Sequence, residues 1–254
     1  MFNVIPLFKS HYSIGRSILT LNELGENKSF GADSIFDILK ENKVKDLFLL
    51  EDSMSGFLQA YLNSKNAKVK LHYGLRISLC NDMEDKSTDS LKKTCKFVIF
   101  IKNTEGYHDL IKIYSHAAKE GFYYYPRLDY KVLKKLWTPN LILSVPFYDS
   151  FIFNNCLYDS LCIPEIDFTD PIFFLEDNDL PFDNLISEKV KVYAEGKFKT
   201  LKTQSIFYKN REDFKAYLTF RCINNRSTLN KPGLDHMCSD EFCFESWKEK
   251  NGSV

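Results

Sequence analysis

Lys102-Asn103-Thr104-Glu105-Gly106-Tyr107-His108-Asp109-Leu110-Ile111-Lys112-Ile113 runs on through Lys119 into Glu120-Gly121-Phe122-Tyr123-Tyr124-Tyr125-Pro126-Arg127-Leu128-Asp129. Tyr107, Leu110, Ile111, Tyr114 and Ala118 recur at steps of three and four, which predicts an amphipathic helix over Glu105–Lys119 with these residues inward. Gly121 follows the last periodic residue and is expected to end the helix in a left-handed cap. Immediately before the helix, Phe97–Ile101 is a short apolar run bounded by polar residues, the pattern of a buried strand. Tyr123–Tyr125 lack interleaved basic residues and read as packing aromatics rather than a base-stacking platform.

The strand–helix unit repeats outward from this point. Val4–Phe8, Leu47–Leu50 and Leu141–Val145 are further apolar runs expected to lie beside Phe97–Ile101. Ser34–Asn42 places Ile35, Phe36 and Leu39 on one helical face, and Glu212–Ile223 does the same with Phe214, Tyr217, Leu218 and Cys222. Such alternation predicts an α/β fold. Asn81–Thr94 is polar and reads as a loop or insertion, and Asp149–Asp183 matches no single pattern. Neither stretch has a flexible linker's composition, so residues 1–254 are expected to form one continuous domain.

Composition bounds the function classes. Lys and Arg number 34, as do Asp and Glu, and the formal net charge of zero argues against autonomous nucleic-acid binding. Seven cysteines without a CxxC pair imply reduced thiols and a cytoplasmic protein. Cys156/Cys162 and Cys238/Cys243 have no histidines at zinc-ligand spacing. Met1-Phe2-Asn3-Val4-Ile5-Pro6 carries no signal-peptide pattern, and no apolar run approaches the ~20 residues that span a bilayer.

The opening stretch closely resembles KNxEGYxNLIKLxSxAxxEGFYYxPRxD of the bacterial DNA polymerase III alpha subunits. Tyr208-Lys209-Asn210-Arg211-Glu212-Asp213, then Cys222-Ile223 and Ser239-Asp240-Glu241-Phe242, resemble a second string of that family, YxNREDAxAxDxLxCI…SDEF. Ordered matches from about residue 4 to residue 248 identify the chain as similar to the family's N-terminal PHP domain. The resemblance implies a distorted (β/α)7-type TIM-like barrel. Active PHP domains bind a metal cluster there, and metal-bound water attacks a phosphoester.

Against that pattern, the residues at the alignable ligand positions are mostly not ligands. The family's HxHSxYSxxDG appears as Leu7-Phe8-Lys9-Ser10-His11-Tyr12-Ser13-Ile14-Gly15-Arg16, so Leu7, Lys9 and Arg16 replace two histidines and an aspartate. Arg76 stands for a glutamate, Lys96 for a histidine and Phe147 near a late cysteine, while Ser205 and Phe207 replace the aspartate and histidine of NDVHY. Glu51 is the one position in this set that keeps a carboxylate, with Asp52 beside it. Lys and Arg offer no lone pair to a metal and repel it.

These substitutions predict a catalytically inactive domain with no metal or other cofactor. The resemblance further implies a place in DNA replication, docked to the remainder of the polymerase or to a proofreading exonuclease. Contact with DNA would be indirect, with no membrane contact. The parent would be a nucleotidyltransferase, a DNA-directed DNA polymerase, whose palm lies outside these residues. Two alternatives stand: a PHP phosphoesterase or 3′–5′ exonuclease with a rearranged site, and a free-standing PHP-like replication protein. Lys9, Arg16, Arg76 and Lys96 are expected to gather near Glu51 and Asp52, with Glu51 paired to at least one of Lys9, Arg16 or Arg76.

Overall fold

The computed structural model describes residues 3–25, 31–158, 160–230 and 233–252. From the start of the chain these form β1 (Ile5–Phe8), α1 (Ile35–Glu41), β2 (Asp46–Glu51), α2 (Phe57–Ala67), β3 (Lys70–Cys80) and α3 (Thr88–Lys92). They continue with β4 (Thr94–Ile101), α4 (Thr104–Lys119), β5 (Arg127–Asp129), α5 (Tyr130–Leu136), β6 (Leu141–Val145) and α6 (Phe151–Leu157). The last are β7 (Ile172–Leu175), α7 (Asp183–Ala194), β8 (Lys199–Ile206), α8 (Phe214–Asn224) and α9 (Phe244–Asn251).

The strand order is β2-β1-β8-β7-β6-β4-β3-β5, and β2 also pairs with β3. The ladder thus closes through seven strands with β5 appended, the α/β barrel class expected from the sequence. β1 is parallel to both neighbours, with Leu7 opposite Phe48 and Ser205. β4 departs from the parallel rule and runs antiparallel to β3 and β6.

The chain divides into two compact units. The first comprises Met1–Tyr73, Glu176–Asp183 and Lys202–Val254. Its core includes Phe8, Phe36, Leu47, Leu49, Tyr208, Phe242 and Trp247. Helix α9 clasps the first strand: Trp247 Nε1 donates to Val4 O at 2.9 Å, and Asn251 Oδ1 accepts from Val4 N at 3.0 Å. The second unit comprises Gly74–Leu175 and Asn184–Leu201, with Phe97, Leu128, Leu143, Phe147 and Phe173 buried.

All four expected strands are present, with β1 beside β2 and β4 beside β6. Two details of the deciding stretch differ. Helix α4 buries Gly106, Leu110, Ile113 and Ala117, while Ile111 and Ala118 are exposed. Gly106 sets this rotation, since a Cβ there would lie 2.5 Å from the Asn140 carbonyl oxygen. Gly121 is not a left-handed cap: Glu120 ends the helix in right-handed geometry. What demands glycine at 121 is closeness, because a Cβ would meet the Arg127 carbonyl oxygen at 1.9 Å.

Asn81–Thr94, expected as a loop, contains helix α3, and Asp149–Asp183 contains α6 and β7. Fully buried Arg127 organises the former segment. Its guanidinium donates to Gly121 O (3.3 Å), Ser90 Oγ (3.0 Å), Met83 O (3.2 Å) and Asp85 O (2.7 Å). In α8, Tyr217, Arg221 and Cys222 are buried, whereas Phe214 and Leu218 are half-buried.

Candidate functional site

In the first unit, the parallel register of β1 and β2 brings the residues that follow β1 to the carboxyl end of β2. Lys9 is 7% exposed along its side chain, and its Nζ lies 3.0 Å from Asp52 Oδ2. Glu51, the last residue of β2, is fully buried. Its Oε1 accepts from Ser10 N at 2.9 Å and its Oε2 from Ser13 Oγ at 2.5 Å. Ser13 Oγ in turn accepts from Asp52 N at 3.0 Å. Burial pushes the Glu51 carboxyl above its ordinary range, opposed by the hydrogen bonds from Ser10 and Ser13 and the charge of Lys9. The expected carboxylate–lysine pair is therefore one residue over, on Asp52, and Glu51 is held by a hydroxyl and an amide.

A second carboxyl in this unit went unrecognised in the sequence. Glu176 directly follows β7 and is buried, accepting from Ser205 N (2.8 Å), Ser205 Oγ (2.9 Å) and Asn178 Nδ2 (2.9 Å). Burial raises its pKa, those donors lower it, and Asp183 raises it further. Leu7 is buried within β1, and Phe207 stacks on Tyr217 and Phe242 with centroids 5.6 and 5.2 Å apart. Ser17 Oγ ties the segments together, donating in hydrogen-bonding range of Lys9 O (2.7 Å) and Phe207 O (2.9 Å). Arg16 is half-buried, and its charge acts on the Tyr217 hydroxyl.

In the second unit, Arg76 and Lys96 both engage Asp149. Arg76 Nη2 lies 2.6 Å from Asp149 Oδ2, and Lys96 N donates to Asp149 O at 2.7 Å. Lys96 Nζ donates to Ser78 Oγ at 2.7 Å, across the antiparallel β3–β4 register that faces Ser78 with Lys96. Phe147 is buried two residues before Asp149, its ring edge-on to Tyr148 at 4.9 Å. Asp149 itself has a left-handed φ of 61°, which places it at a turn after β6. Asp149 opens the stretch without a clear pattern and Glu176 lies inside it, so no periodicity pointed to them.

Chemically these groups form ion pairs and hydroxyl–carboxylate bonds. Among the described residues no group of three or more His, Cys, Asp or Glu side chains could hold a metal ion.

The closed strand ladder, with polar side chains collected just past strand ends, defines an α/β barrel of the kind that carries its site on the loops after its strands. The chain belongs to the PHP domain family, whose model matches residues 30–160. It is homologous to bacterial DNA polymerase III alpha subunits. The match to DNA polymerase III subunit alpha of Helicobacter pylori is 35% identical over 83 residues, covering 33% of this chain and 7% of the relative. That of Borreliella burgdorferi is 25% identical over 235 residues, covering 86% and 20%. That of Aquifex aeolicus is 27% identical over 168 residues, covering 62% and 14%. The chain thus spans a fifth or less of the curated relatives it matches.

Proposed function

We propose that residues 1–254 form one PHP-like domain of a replicative polymerase III alpha-type protein that no longer performs metal-dependent hydrolysis. Its role is structural: it docks the remainder of the polymerase or a proofreading exonuclease in the cytoplasm and meets DNA indirectly. The observation that carries this reading is the engagement of basic side chains at former ligand positions, Lys9 by Asp52 and Arg76 by Asp149. A catalytic cluster needs several histidine and carboxylate lone pairs free to coordinate. Here Leu7 and Phe207 supply none, and Ser205 and its carboxyl Glu176 hydrogen-bond to each other. The donor set at these positions does not fit the family's metals.

The test combines elemental analysis of the purified chain with nuclease and phosphoesterase assays in magnesium, manganese and zinc. The expected result is no stoichiometric metal and no turnover above a mock preparation. Turnover that disappears in Glu51→Gln and in Glu176→Gln would instead establish a rearranged catalytic site. Docking is read by sedimentation of the chain with the polymerase body and with the exonuclease subunit. A failure to co-sediment with either removes the docking role.

A further inference from the structure

We propose that the outer face of helix α2 is a docking surface for an amphipathic, acidic helical segment of a separate protein chain. The proposal rests on the docking role above and names the surface that performs it. An ordinary surface helix turns its apolar side inward, and α2 does the reverse. It buries Ala60, Asn63 and Ser64. The inward polar groups are satisfied: Asn63 Nδ2 donates to Leu21 O at 2.7 Å and Ser64 Oγ to Tyr61 O at 2.9 Å. Space is tight where the helix starts, since a Cβ on Gly56 would lie 2.7 Å from Tyr12 Cδ2. Small and polar residues thus suit the inner face, and the large apolar ones turn outward. Leu58, Tyr61 and Leu62 are 65%, 40% and 50% exposed.

Spacing makes these residues one surface. Positions 58, 61, 62 and 65 stand at i, i+3, i+4 and i+7, neighbours on one helical face. Lys65 completes the row, its Nζ 4.2 Å from the Tyr61 ring centroid. The row borders an open groove of about 930 Å³ lined by Leu24, Leu58 and Leu62 with the polar Glu23, Gln59 and Asn66. Single exposed apolar residues need no explanation, whereas a contiguous row beside a groove marks an interaction site. A partner helix fills such a groove with apolar residues at the same steps of three and four.

Charge at the end of the row defines the rest of the partner. Lys43, Lys45, Lys65, Lys68 and Lys70 are all exposed. Lys68 caps the C-terminal end of α2, and Lys70 N donates to Lys45 O at 2.8 Å, which joins the two lysine-bearing loops. Nearby carboxylates are engaged elsewhere, Asp46 with His72 at 2.8 Å and Glu41 with Lys209 at 3.1 Å. The helix dipoles ending at α1 and α2 amount to about half a negative charge each, so five ammonium groups leave positive charge in excess. Acidic side chains complement it. A nucleic acid would meet the lysines through its phosphates and leave Leu58 and Leu62 in water, so the combination favours protein. A domain attached in the same chain is held at high effective concentration and needs no steering. Charge of one sign beside an apolar row instead speeds encounter with a separate chain.

The experiment titrates the full chain into a fluorescein-labelled synthetic helical peptide and follows anisotropy. The peptide carries leucines at steps of three and four in its first half and glutamates in its second. The same peptide with lysines for glutamates, and a labelled duplex DNA, serve as controls. The expected result is saturable binding of the acidic peptide that weakens as salt is raised, with neither control binding comparably. Leu58→Ser with Leu62→Ser, and separately Lys65→Gln with Lys68→Gln, should each weaken binding about tenfold. Their melting temperatures should stay at the parent value, because all four side chains are exposed. Val192→Ser, at an exposed apolar position on α7, should leave binding as it was. Acidic and basic peptides binding alike, or binding that survives both double variants, overturns the proposal. Lysine-dependent DNA binding that ignores the leucine variants also overturns it, as does self-association of the chain that Leu62→Ser abolishes. A chain that ignores the peptide yet co-sediments with the polymerase body or the exonuclease keeps the docking role and loses this surface. Peptide binding without co-sedimentation keeps the surface and removes those two partners.

Discussion

Lys9 and Asp52 form an ion pair with Nζ and Oδ2 3.0 Å apart, and the pair sits directly beside the buried carboxyl of Glu51. Lys9 therefore carries its charge to a site where its side chain is only 7% exposed. Removing the carboxylate while keeping the ammonium costs more than removing both, since a desolvated charge is left without that partner. Asp52→Asn is expected to destabilise the chain by about 1–3 kcal/mol, and Lys9→Met combined with it to recover part of that loss. Urea denaturation of the single and double variants reads the coupling. Strict additivity would show that the pair contributes nothing.

Glu51 and Glu176 make the stability of the chain depend on pH. Burial raises both carboxyls above the ordinary glutamate value of 4.5. A group raised in the folded state contributes its stability in full below the unfolded value and loses it as pH rises through the folded value. From about 4.5 upward, each carboxyl thus costs progressively more to keep buried and charged. Glu51→Gln keeps the shape and removes this cost. The variant should fall less in stability than the parent between acidic and neutral pH, as should Glu176→Gln. Denaturation curves superimposing at every pH would show that neither carboxyl titrates in this window.

Arg127 is the buried charge on which the Asn81–Thr94 segment depends. It is fully buried, and three of its four acceptors, Met83 O, Asp85 O and Ser90 Oγ, come from that segment. Hydrogen bonds to a charged donor contribute about 1.5–3 kcal/mol each when counted against water, and deleting the donor strands buried acceptors. Arg127→Met should destabilise the chain by about 3–5 kcal/mol, the range for breaking buried charged contacts. Amide exchange should accelerate selectively at residues 83–90. Unchanged protection there would mean that the segment holds itself.

The features of this fold that sequence patterns reveal are those governed by local periodicity. β1, β2, β4 and β6 are runs of apolar residues buried by the sheet, and α4 has a clear three-and-four repeat. β8 escaped notice because Lys199–Ile206 buries the polar residues Thr203 and Gln204, of which Gln204 donates through Nε2 to Glu241 O and Ser246 Oγ. Glu51 was legible through family resemblance. Its true partners, Ser10 and Ser13, are ordinary loop serines whose role exists only after β1 and β2 pair. The same holds for Asp149 and Glu176, since an isolated acidic residue after an apolar run has no period to betray it.

Gly121 separates the two reasons a chain keeps glycine, and Gly196 supplies the comparison. Gly121 is not at positive φ, but an added Cβ would lie 1.9 Å from the Arg127 carbonyl oxygen, a backbone atom that cannot step aside without moving β5. Gly196 has φ of +67° with nothing within 4 Å of an added Cβ. Gly196→Ala should cost about 1–2 kcal/mol, the penalty of a left-handed alanine. Gly121→Ala should cost about 1–3 kcal/mol or more, because overpacking against fixed atoms displaces backbone. The two should also differ in kind. Gly121→Ala shifts Arg127 and therefore loosens residues 83–90 in amide exchange, whereas Gly196→Ala leaves that segment as it was. Equal exchange in both variants, with equal loss of stability, would refute steric closeness as the reason for glycine at 121.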